Sequence, residues 1–581
     1  MSVKPSDLST KPTAPRFIVQ PRARAIAVAM AAALVLIAPA GLYSQEGPVA
    51  EVTGGQVRGR LQMAPKSGAV FKGIPFAQPP VGDLRWREPQ PVRPWRGVRD
   101  ASEYSAACIQ NPIQTGNKRL ANLYGIDDEP TETVRAISED CLYLNIWVPE
   151  WPAKELKPIM LYLYGGSNVV GSGADYDGGA LATHGVIVVT INYRLGALGF
   201  FSHPELTKES PHHASGNYGL LDQVAALEWV QENIATFGGD RSRVTIFGQS
   251  SGSRDARLLM SSPLTKGLFQ RVIKESESIG PFGVQTVDES EEFGEKVAKI
   301  LKVPSDSSAI KRMRELQPTD ILNASAEASK HAALEVQWSS GPRGSVPGAL
   351  AIVIDGWVLQ QNPDEVFAAG KQQPVALMIG NNGREASSGS PWGGAPLASD
   401  REGLKKAMQA AYGSLAPKAI ALYGVDASAD TVATADQWQN DYFYACPAAV
   451  IATLNSVGGQ PSFLYQFLRS VPGKDGQYVL GSFHSLELRY VFKSFDEPMS
   501  GRLPFQPEDY MLSEFMERYW TNFAKTGSPN SRDLPYWSAF SKDAEAYMEF
   551  SQDGRAVPRN GLRSPYCELY QENIKKHVAA H

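Results

Sequence analysis

Cysteine and histidine are scarce in this sequence of 581 residues, with only four and eight copies respectively. No two cysteines have the C-x-x-C spacing, which excludes a zinc site of that type. No Pro-, Ser- or Gly-rich linker, long run of one charge or internal repeat divides the chain. After residue 40 no apolar run is long enough to span a bilayer. Because the composition is otherwise ordinary, with 43% hydrophobic residues, these absences favour one large globular domain.

The N-terminus resembles a secretory signal peptide. Basic residues precede the apolar run AIAVAMAAALVLIAPA (25–40), and Ala38-Pro39-Ala40 offers small side chains for cleavage. The run is shorter than the roughly 20 residues of a spanning helix, although an uncleaved signal anchor is the alternative. We therefore expect a signal peptide at 1–40, a mature domain at 41–581, and export to the periplasm or the medium.

The mature part of the chain is acidic. Removing 1–40 takes away five of the 56 basic residues and one of the 61 acidic residues, which leaves a net charge of about −9. Such a surface repels nucleic acid and anionic membranes, so we expect neither as a partner.

The four cysteines favour two disulfides if the chain is exported. Chain order would pair Cys108 with Cys141 and Cys446 with Cys567. Four cysteines allow three pairings, however, and buried free thiols are a further alternative.

Apolar runs alternate with amphipathic stretches along the chain. Strands are predicted in LYLNIWV (142–148), PIMLYLYGG (158–166), GVIVVTINYRLG (185–196) and around 244–247. Helices are predicted at 220–237, after the turn at 248–252, and at 510–527. This order indicates an α/β fold with a large central, mostly parallel sheet flanked by helices.

One turn in this pattern has the form G-x-S-x-G, at Gly248-Gln249-Ser250-Ser251-Gly252. Between a strand and a helix this motif raises a serine as a nucleophile. A serine-rich structural loop is the alternative, because the five-residue pattern is common. A serine nucleophile also needs a base, an acid that orients the base, and N–H donors for the oxyanion.

Few residues after Ser250 can act as that base. The later histidines include His577 and His581 in a polar tail and His331 in an alanine-rich segment, whereas His484 lies in a loop after the strand-like FLYQFL (463–468). A carboxylate, Glu385, lies in the polar loop that follows the predicted strand 375–379. Sites in open α/β sheets lie beyond the carboxyl ends of strands, so we take His484 as the base and Glu385 as the acid. Purely structural roles are the alternatives.

Several segments together resemble the type B carboxylesterase family, which includes the cholinesterases. The similarity runs from about Val52 to Cys567, and its main segments are FKGIPFAQPPVGDLRWREPQP (71–91), EDCLYLNIW (139–147), GNYGLLDQVAALEWVQENIATFGGD (216–240) and FHSLELRYVF (483–492). The resemblance implies a single α/β-hydrolase domain. It also implies the disulfides Cys108–Cys141 and Cys446–Cys567.

The family's site residues carry over to positions in this chain. By the resemblance the nucleophile is Ser250, the acid Glu385 and the base His484. The oxyanion donors are the backbone amides of Gly166, Ser167 and Ser251, and Ser276 matches a serine that supports the family's site.

This chain departs from the family around those positions. Ser167 replaces a glycine, Asn168 an aromatic residue, and Ser251 an alanine. Gln249 stands where glutamate is commoner, and Glu277 stands where glycine is usual. Arg254 and Asp255 place charges on a helix that is small and apolar in the family. We expect Gln249, Asn168, Ser276 and Glu277 to support the site or to face the substrate.

The resulting prediction is a serine esterase that forms an acyl-enzyme and needs no metal or organic cofactor. Its partner would be a small-molecule ester, and the polar residues near Ser250 favour a polar substrate such as a polyol, aryl or toxin ester. A non-catalytic binding or adhesion protein on the same fold is one alternative. An amide or carbamate hydrolase is another.

Overall fold

The described part of the computed structural model comprises residues 47–62, 68–111, 124, 136–277, 284–335, 350–385, 387, 398, 400–478, 480–495 and 503–578. The predicted signal peptide lies outside these residues. Residues Gly47–His581 form one compact unit. Within the described residues, no helix has the length and apolar character needed to cross a bilayer.

The described strands belong to one large sheet and three small ones. They are β1 (Val49–Val52), β2 (Gly55–Arg58), β3 (Arg60–Leu61), β4 (Ala69–Pro75), β5 (Val98–Asp100), β6 (Ala107–Cys108), β7 (Ile137–Ser138), β8 (Tyr143–Val148), β9 (Lys157–Leu163), β10 (Ile187–Ile191), β11 (Gly239–Gln249), β12 (Arg271–Glu275), β13 (Val284–Thr286), β14 (Ile352–Ile354), β15 (Ala376–Asn382), β16 (Ser462–Phe467), β17 (Ala546–Phe550) and β18 (Ala556–Asn560).

The large sheet has eleven strands in the order β18-β17-β16-β15-β12-β11-β9-β10-β8-β4-β3. Its centre, from β17 to β10, is parallel throughout. Antiparallel strands complete both edges. Every residue of β10, IVVTI, is buried, as expected for a β-branched strand that is covered on both faces. The predicted mostly parallel sheet is therefore confirmed.

Helices cover this sheet. They are α1 (Gly179–Thr183), α2 (Gly196–Gly199), α3 (Pro204–Glu209), α4 (Tyr218–Asn233), α5 (Ser251–Ser261), α6 (Val287–Ile300), α7 (Ala309–Arg314), α8 (Pro318–Glu335), α9 (Pro363–Ala368), α10 (Arg401–Tyr412), α11 (Ala416–Leu422), α12 (Thr431–Asn440), α13 (Cys446–Val457), α14 (Leu488–Val491), α15 (Pro507–Thr526) and α16 (Ser564–Val578). A π-helical turn, Asp441–Ala445, joins α12 to α13.

Two of these helices show how local sequence sets the elements that surround the core. Helix α15 begins with Pro507 in its first turn and ends at Gly527, whose φ of 81° is left-handed; proline at the start and glycine after the end are strong helix boundaries. Helix α4 is buried on nearly every face, because it packs between the sheet and a second apolar cluster.

Both disulfides that the resemblance implied are formed. Cys108 is bonded to Cys141 and Cys446 to Cys567, and there is no free cysteine in the chain. The second bond ties α13 to α16 at the edge of a third apolar cluster. The alternative of free thiols is therefore wrong.

Candidate active site

Ser250 lies on a sharp turn between β11 and α5. Its φ of 57° and ψ of −122° are unusual for a residue with a side chain. The flanking glycines allow the turn: a Cβ at Gly252 would lie 2.0 Å from the Leu163 carbonyl oxygen, and one at Gly248 would lie 2.6 Å from the Gly252 backbone. The Ser250 amide donates to the Glu275 carbonyl at 2.9 Å. A nucleophile elbow requires a strained turn of this kind.

Glu385 and His484 meet beside this turn. His484 Nδ1 lies 2.6 Å from Glu385 Oε2, and the residues are 8% and 1% exposed. The other carboxylate oxygen of Glu385 accepts the Asn382 amide at 2.6 Å, while the Glu385 amide donates to Asn440 Oδ1 at 3.0 Å. The carboxylate is therefore fixed on both sides of its bond to the imidazole.

The charged surroundings alter the basicity of His484. Burial lowers the pKa of His484, but the hydrogen bond and charge of Glu385, together with the charge of Glu487, outweigh that effect and raise this pKa above its usual value. Burial, followed by the nearby charge of Glu385, raises the pKa of Glu487 itself to about 7. The carboxylate of Glu487 accepts hydrogen bonds from Ser276 Oγ at 3.2 Å and from the Asn382 side chain.

The second ring nitrogen of His484 points toward the elbow. His484 Nε2 lies 3.2 Å from Gln249 Nε2, an amide nitrogen that can only donate. When Nδ1 carries the proton that faces Glu385, Nε2 is an acceptor. That tautomer is the one a general base needs.

The loop after β9 is the candidate oxyanion hole. Gly166, Ser167 and Asn168 have φ values of 111°, 57° and 58°, so three consecutive residues adopt positive φ. Within the described residues, the amides of Gly166 and Ser167 have no protein acceptor. The Ser251 amide belongs to the first turn of α5, where helical N–H groups are free to bind an anion.

Two of the residues that were expected to support the site or to face the substrate are held by protein partners. Asn168 is 4% exposed and its side-chain amide donates to Asp255 Oδ1 at 3.0 Å. The carboxylate of Glu277 is bound by Arg257 at 2.7 Å and by Lys274 in a buried cluster. The expectation of a polar substrate therefore loses the support of these two side chains.

Sequence reasoning missed several residues that hold these groups in place. Asn440 comes directly before the π-helical turn, and Tyr444 in that turn has its ring 5.7 Å from the imidazole of His484. Asn382 ends β15, and Glu487 lies one turn after His484. The polar ends of β15 and α12 are signals that could have indicated Asn382 and Asn440.

Comparisons with known proteins give the family and the fold of the chain. The model of the carboxylesterase family matches residues 46–569. The fumonisin B1 esterase of Sphingopyxis macrogoltabida is 34% identical over 86% of each chain. Carboxylesterase 1D of Rattus norvegicus is 33% identical and covers 92% of this chain and 95% of its own.

Among solved structures, a PNB esterase superposes with a TM-score of 0.74 at 29% identity. The superposition covers 90% of this chain and 99% of that one. These relatives confirm the predicted α/β-hydrolase fold and the prediction of an ester hydrolase rather than a non-catalytic binding protein. The chain belongs to the carboxylesterase family and is a carboxylic ester hydrolase.

Proposed function

We propose that Ser250, His484 and Glu385 are the catalytic triad of this ester hydrolase. Ser250 Oγ attacks the ester carbonyl while His484 Nε2 takes its proton. His484 then protonates the departing alcohol, and water attacks the acyl-enzyme with the same histidine as base. Glu385 holds the tautomer and stabilises the imidazolium. The 2.6 Å contact between Glu385 and His484, beside the strained Ser250 turn, carries this assignment.

The oxyanion of each tetrahedral intermediate would be bound by the amides of Gly166, Ser167 and Ser251. Backbone donors that are fixed before the reaction are worth about 3 kcal/mol each in the transition state. Support comes from the amides of Gly166 and Ser167, which have no acceptor in the part of the chain that the structure describes, and from the helical position of Ser251.

The test is hydrolysis of p-nitrophenyl acetate together with phosphonate labelling. We expect Ser250→Ala to lower kcat by at least about 10⁴-fold and to abolish labelling, with the modified peptide of the wild type mapping to Ser250. Ser261→Ala, at the far end of α5, serves as the matched control and should retain both properties. Full activity or continued labelling in Ser250→Ala would exclude Ser250 as the nucleophile.

For the substrate we propose a carboxylic ester of a small molecule, with polyol, aryl and toxin esters as classes to compare. The relative named for fumonisin B1 supports including toxin esters, but a rat carboxylesterase is almost equally similar. A panel of esters with matched amides and carbamates, ranked by kcat/KM, would identify the class. Faster turnover of amides or carbamates than of their esters would contradict the proposal.

We also propose that the protein is exported to an oxidising compartment. All four cysteines are paired in disulfides, and such bonds persist mainly outside the reducing cytosol. The mass of the mature protein from a secreting host tests this. Cleavage after the 1–40 segment is expected, and recovery of the intact chain from the cytosol would contradict it.

A further inference from the structure

Three of the departures from the family pattern contact one another. Asn168 follows the oxyanion loop, whereas Ser251 and Asp255 lie on α5, directly after the nucleophile. With Gln223 of α4 they form a buried hydrogen-bonded unit, which we call the Asn168 clamp. Among the described hydrogen bonds, none joins these four residues to Glu385 or His484, so the triad does not explain the clamp.

Hydrogen bonds hold Asn168 at both its backbone and its side chain. Its amide N–H donates to Ser251 Oγ at 3.2 Å, and its carbonyl accepts the Gly196 amide at 2.7 Å. Its side-chain Nδ2 donates to Asp255 Oδ1 at 3.0 Å, and Tyr193 Oη lies 3.5 Å from its Oδ1. These contacts restrain the residue in position and in rotation.

Asp255 is a buried carboxylate whose two oxygens both accept from amides. Gln223 Nε2 donates to Asp255 Oδ2 at 2.7 Å, and Arg254 Nε lies 3.6 Å from Asp255 Oδ1. Asp255 is fully buried, and burial of a carboxylate is costly unless its hydrogen bonds are satisfied. The carboxylate is therefore arranged to receive these two amides.

The backbone beside the clamp is strained. Ser167 and Asn168 both have left-handed φ values, each of which costs about 1–2 kcal/mol for a residue with a side chain. Asparagine is one of the few residues that tolerate this region. A loop of this kind keeps its shape only when its surroundings enforce it. The second strained residue, Asn168, is itself hydrogen-bonded to the other members of the clamp.

We propose that the Asn168 clamp is a positioning device for the oxyanion hole. It fixes the amides of Gly166 and Ser167, on the loop, relative to the amide of Ser251, on the helix. The inference rests on the proposed oxyanion hole and adds the residues that set its geometry. Asn168, Asp255 and Gln223 are positioning residues, since none of them donates to the oxyanion itself.

The first test is Asp255→Asn. The new amide has a single acceptor oxygen and cannot accept from both Asn168 and Gln223, so one of these side chains must turn its amide over or lose its hydrogen bond. We expect kcat to fall by about 10–100-fold, because a misplaced donor loses most of its effect in the transition state. KM should change little, and affinity for a trifluoromethyl ketone, which forms the tetrahedral adduct, should fall in parallel with kcat/KM.

The second test exchanges the two side chains. Asn168→Asp alone places two carboxylates together and should be worse than Asp255→Asn. In the double variant Asn168→Asp/Asp255→Asn, a carboxylate again accepts an amide, and Gln223 again finds a carbonyl oxygen. We expect the exchange to restore at least tenfold of the kcat lost in Asn168→Asp. Absence of any restoration would overturn the proposal.

A matched control separates positioning from general destabilisation. Asp355 is also a buried carboxylate that accepts from an asparagine, with Asn217 Nδ2 2.9 Å from Asp355 Oδ2. Asp355→Asn should lower Tm without lowering kcat. If Asp255→Asn lowers Tm alone, or lowers kcat no more than Asp355→Asn, the clamp is structural and the proposal is wrong.

A milder variant covers the case in which Asp255→Asn fails to fold. Ser251→Ala removes only the hydroxyl that accepts the Asn168 amide, and should lower kcat several-fold with KM unchanged. An unchanged kcat would overturn the clamp. Ser250→Ala tests the nucleophile separately. If Ser250→Ala is inactive while Ser251→Ala has the activity of the wild type, the clamp proposal is refuted and the proposed triad is retained.

Discussion

At the scale of single residues, the surroundings of His484 determine the pH at which the site works. The ring faces the carboxylates of Glu385 and Glu487, the amide of Gln249 and the ring of Tyr444. Burial lowers the pKa of His484, but the two carboxylates raise it above its ordinary value of about 6.5. Only the neutral ring accepts a proton from Ser250, so activity should be lost as pH falls through this raised pKa.

Glu385→Gln should move that acid limb to lower pH. The substitution removes the charge that favours the protonated ring, so the pKa of His484 falls. It also loses the acceptor that fixes the tautomer, and kcat should fall by about 10⁴-fold. The measurement is kcat/KM between pH 5 and pH 9, with the remote Glu549→Gln as a control of unchanged profile. A midpoint that stays in place would show that Glu385 does not set the basicity of His484.

Gln249→Glu should have the opposite effect. It places a carboxylate next to His484 Nε2, where the amide now lies at 3.2 Å, and should raise the midpoint of the acid limb by about one pH unit. Gln249→Met introduces a side chain of similar size to glutamate but without a charge. It should leave the midpoint of the acid limb close to that of the wild type. The same pH profile measures all three proteins, and a downward shift in Gln249→Glu would contradict the expectation.

At the scale of elements, the disulfide between α13 and α16 holds the last helix of the described chain. It joins residues 121 apart, compared with 33 for Cys108–Cys141. In the chain-entropy model a longer closed loop restricts the unfolded chain more, which gives about 5 kcal/mol for Cys446–Cys567 and about 4 kcal/mol for Cys108–Cys141. The late disulfide is therefore expected to contribute more to stability.

Replacing Cys446 and Cys567 together by alanine should lower the free energy of unfolding by about 2–5 kcal/mol. Urea denaturation followed by tryptophan fluorescence measures the loss, and the Cys108→Ala/Cys141→Ala protein provides the comparison. A larger loss from the Cys108–Cys141 pair would show that native contacts, rather than loop length, set the order.

Elements were also the level at which the sequence was most informative. The sheet, the helices and the turn could be predicted because local patterns favour one structure each. These patterns are the β-branched run of β10, the alternation of apolar runs with amphipathic stretches, and the glycines Gly248 and Gly252. The scarcity of histidine left few choices besides His484. The direction of the edge strands could not be predicted from the sequence. β8 runs antiparallel to β10, and this direction depends on which strands pair in the folded protein.

The directions of the side chains around the site could not be predicted from the sequence. For Asn168 and Glu277 the sequence left open whether they support the site or face the substrate. Their partners, Asp255 and the pair Arg257 and Lys274, are distant in sequence or hidden by the local turn. Both residues lie near backbone of positive φ, at Asn168 itself and at Ser276. In such conformations the usual alternation of faces along a strand no longer predicts where a side chain points.

At the scale of the whole molecule, a chain that begins at Gly47 should be sufficient for activity. The compact unit Gly47–His581 contains the whole large sheet and every candidate site residue, and a unit with its own core can fold alone. We expect kcat/KM on p-nitrophenyl acetate within about twofold of the mature protein from a secreting host. The same truncated chain with Ser250→Ala gives the background, and a truncated chain that folds without activity would contradict this.

The sheet order has a consequence for synthesis of the protein. Ser250 follows β11, Glu385 follows β15 and His484 follows β16, so the general base is made long after the nucleophile and must wait for β16 to pair with β15. Pairings between distant segments form slowly. A nascent chain is thus inactive until His484 has been translated, and the return of hydrolysis during refolding should follow the pairing of β16 with β15 rather than the first collapse.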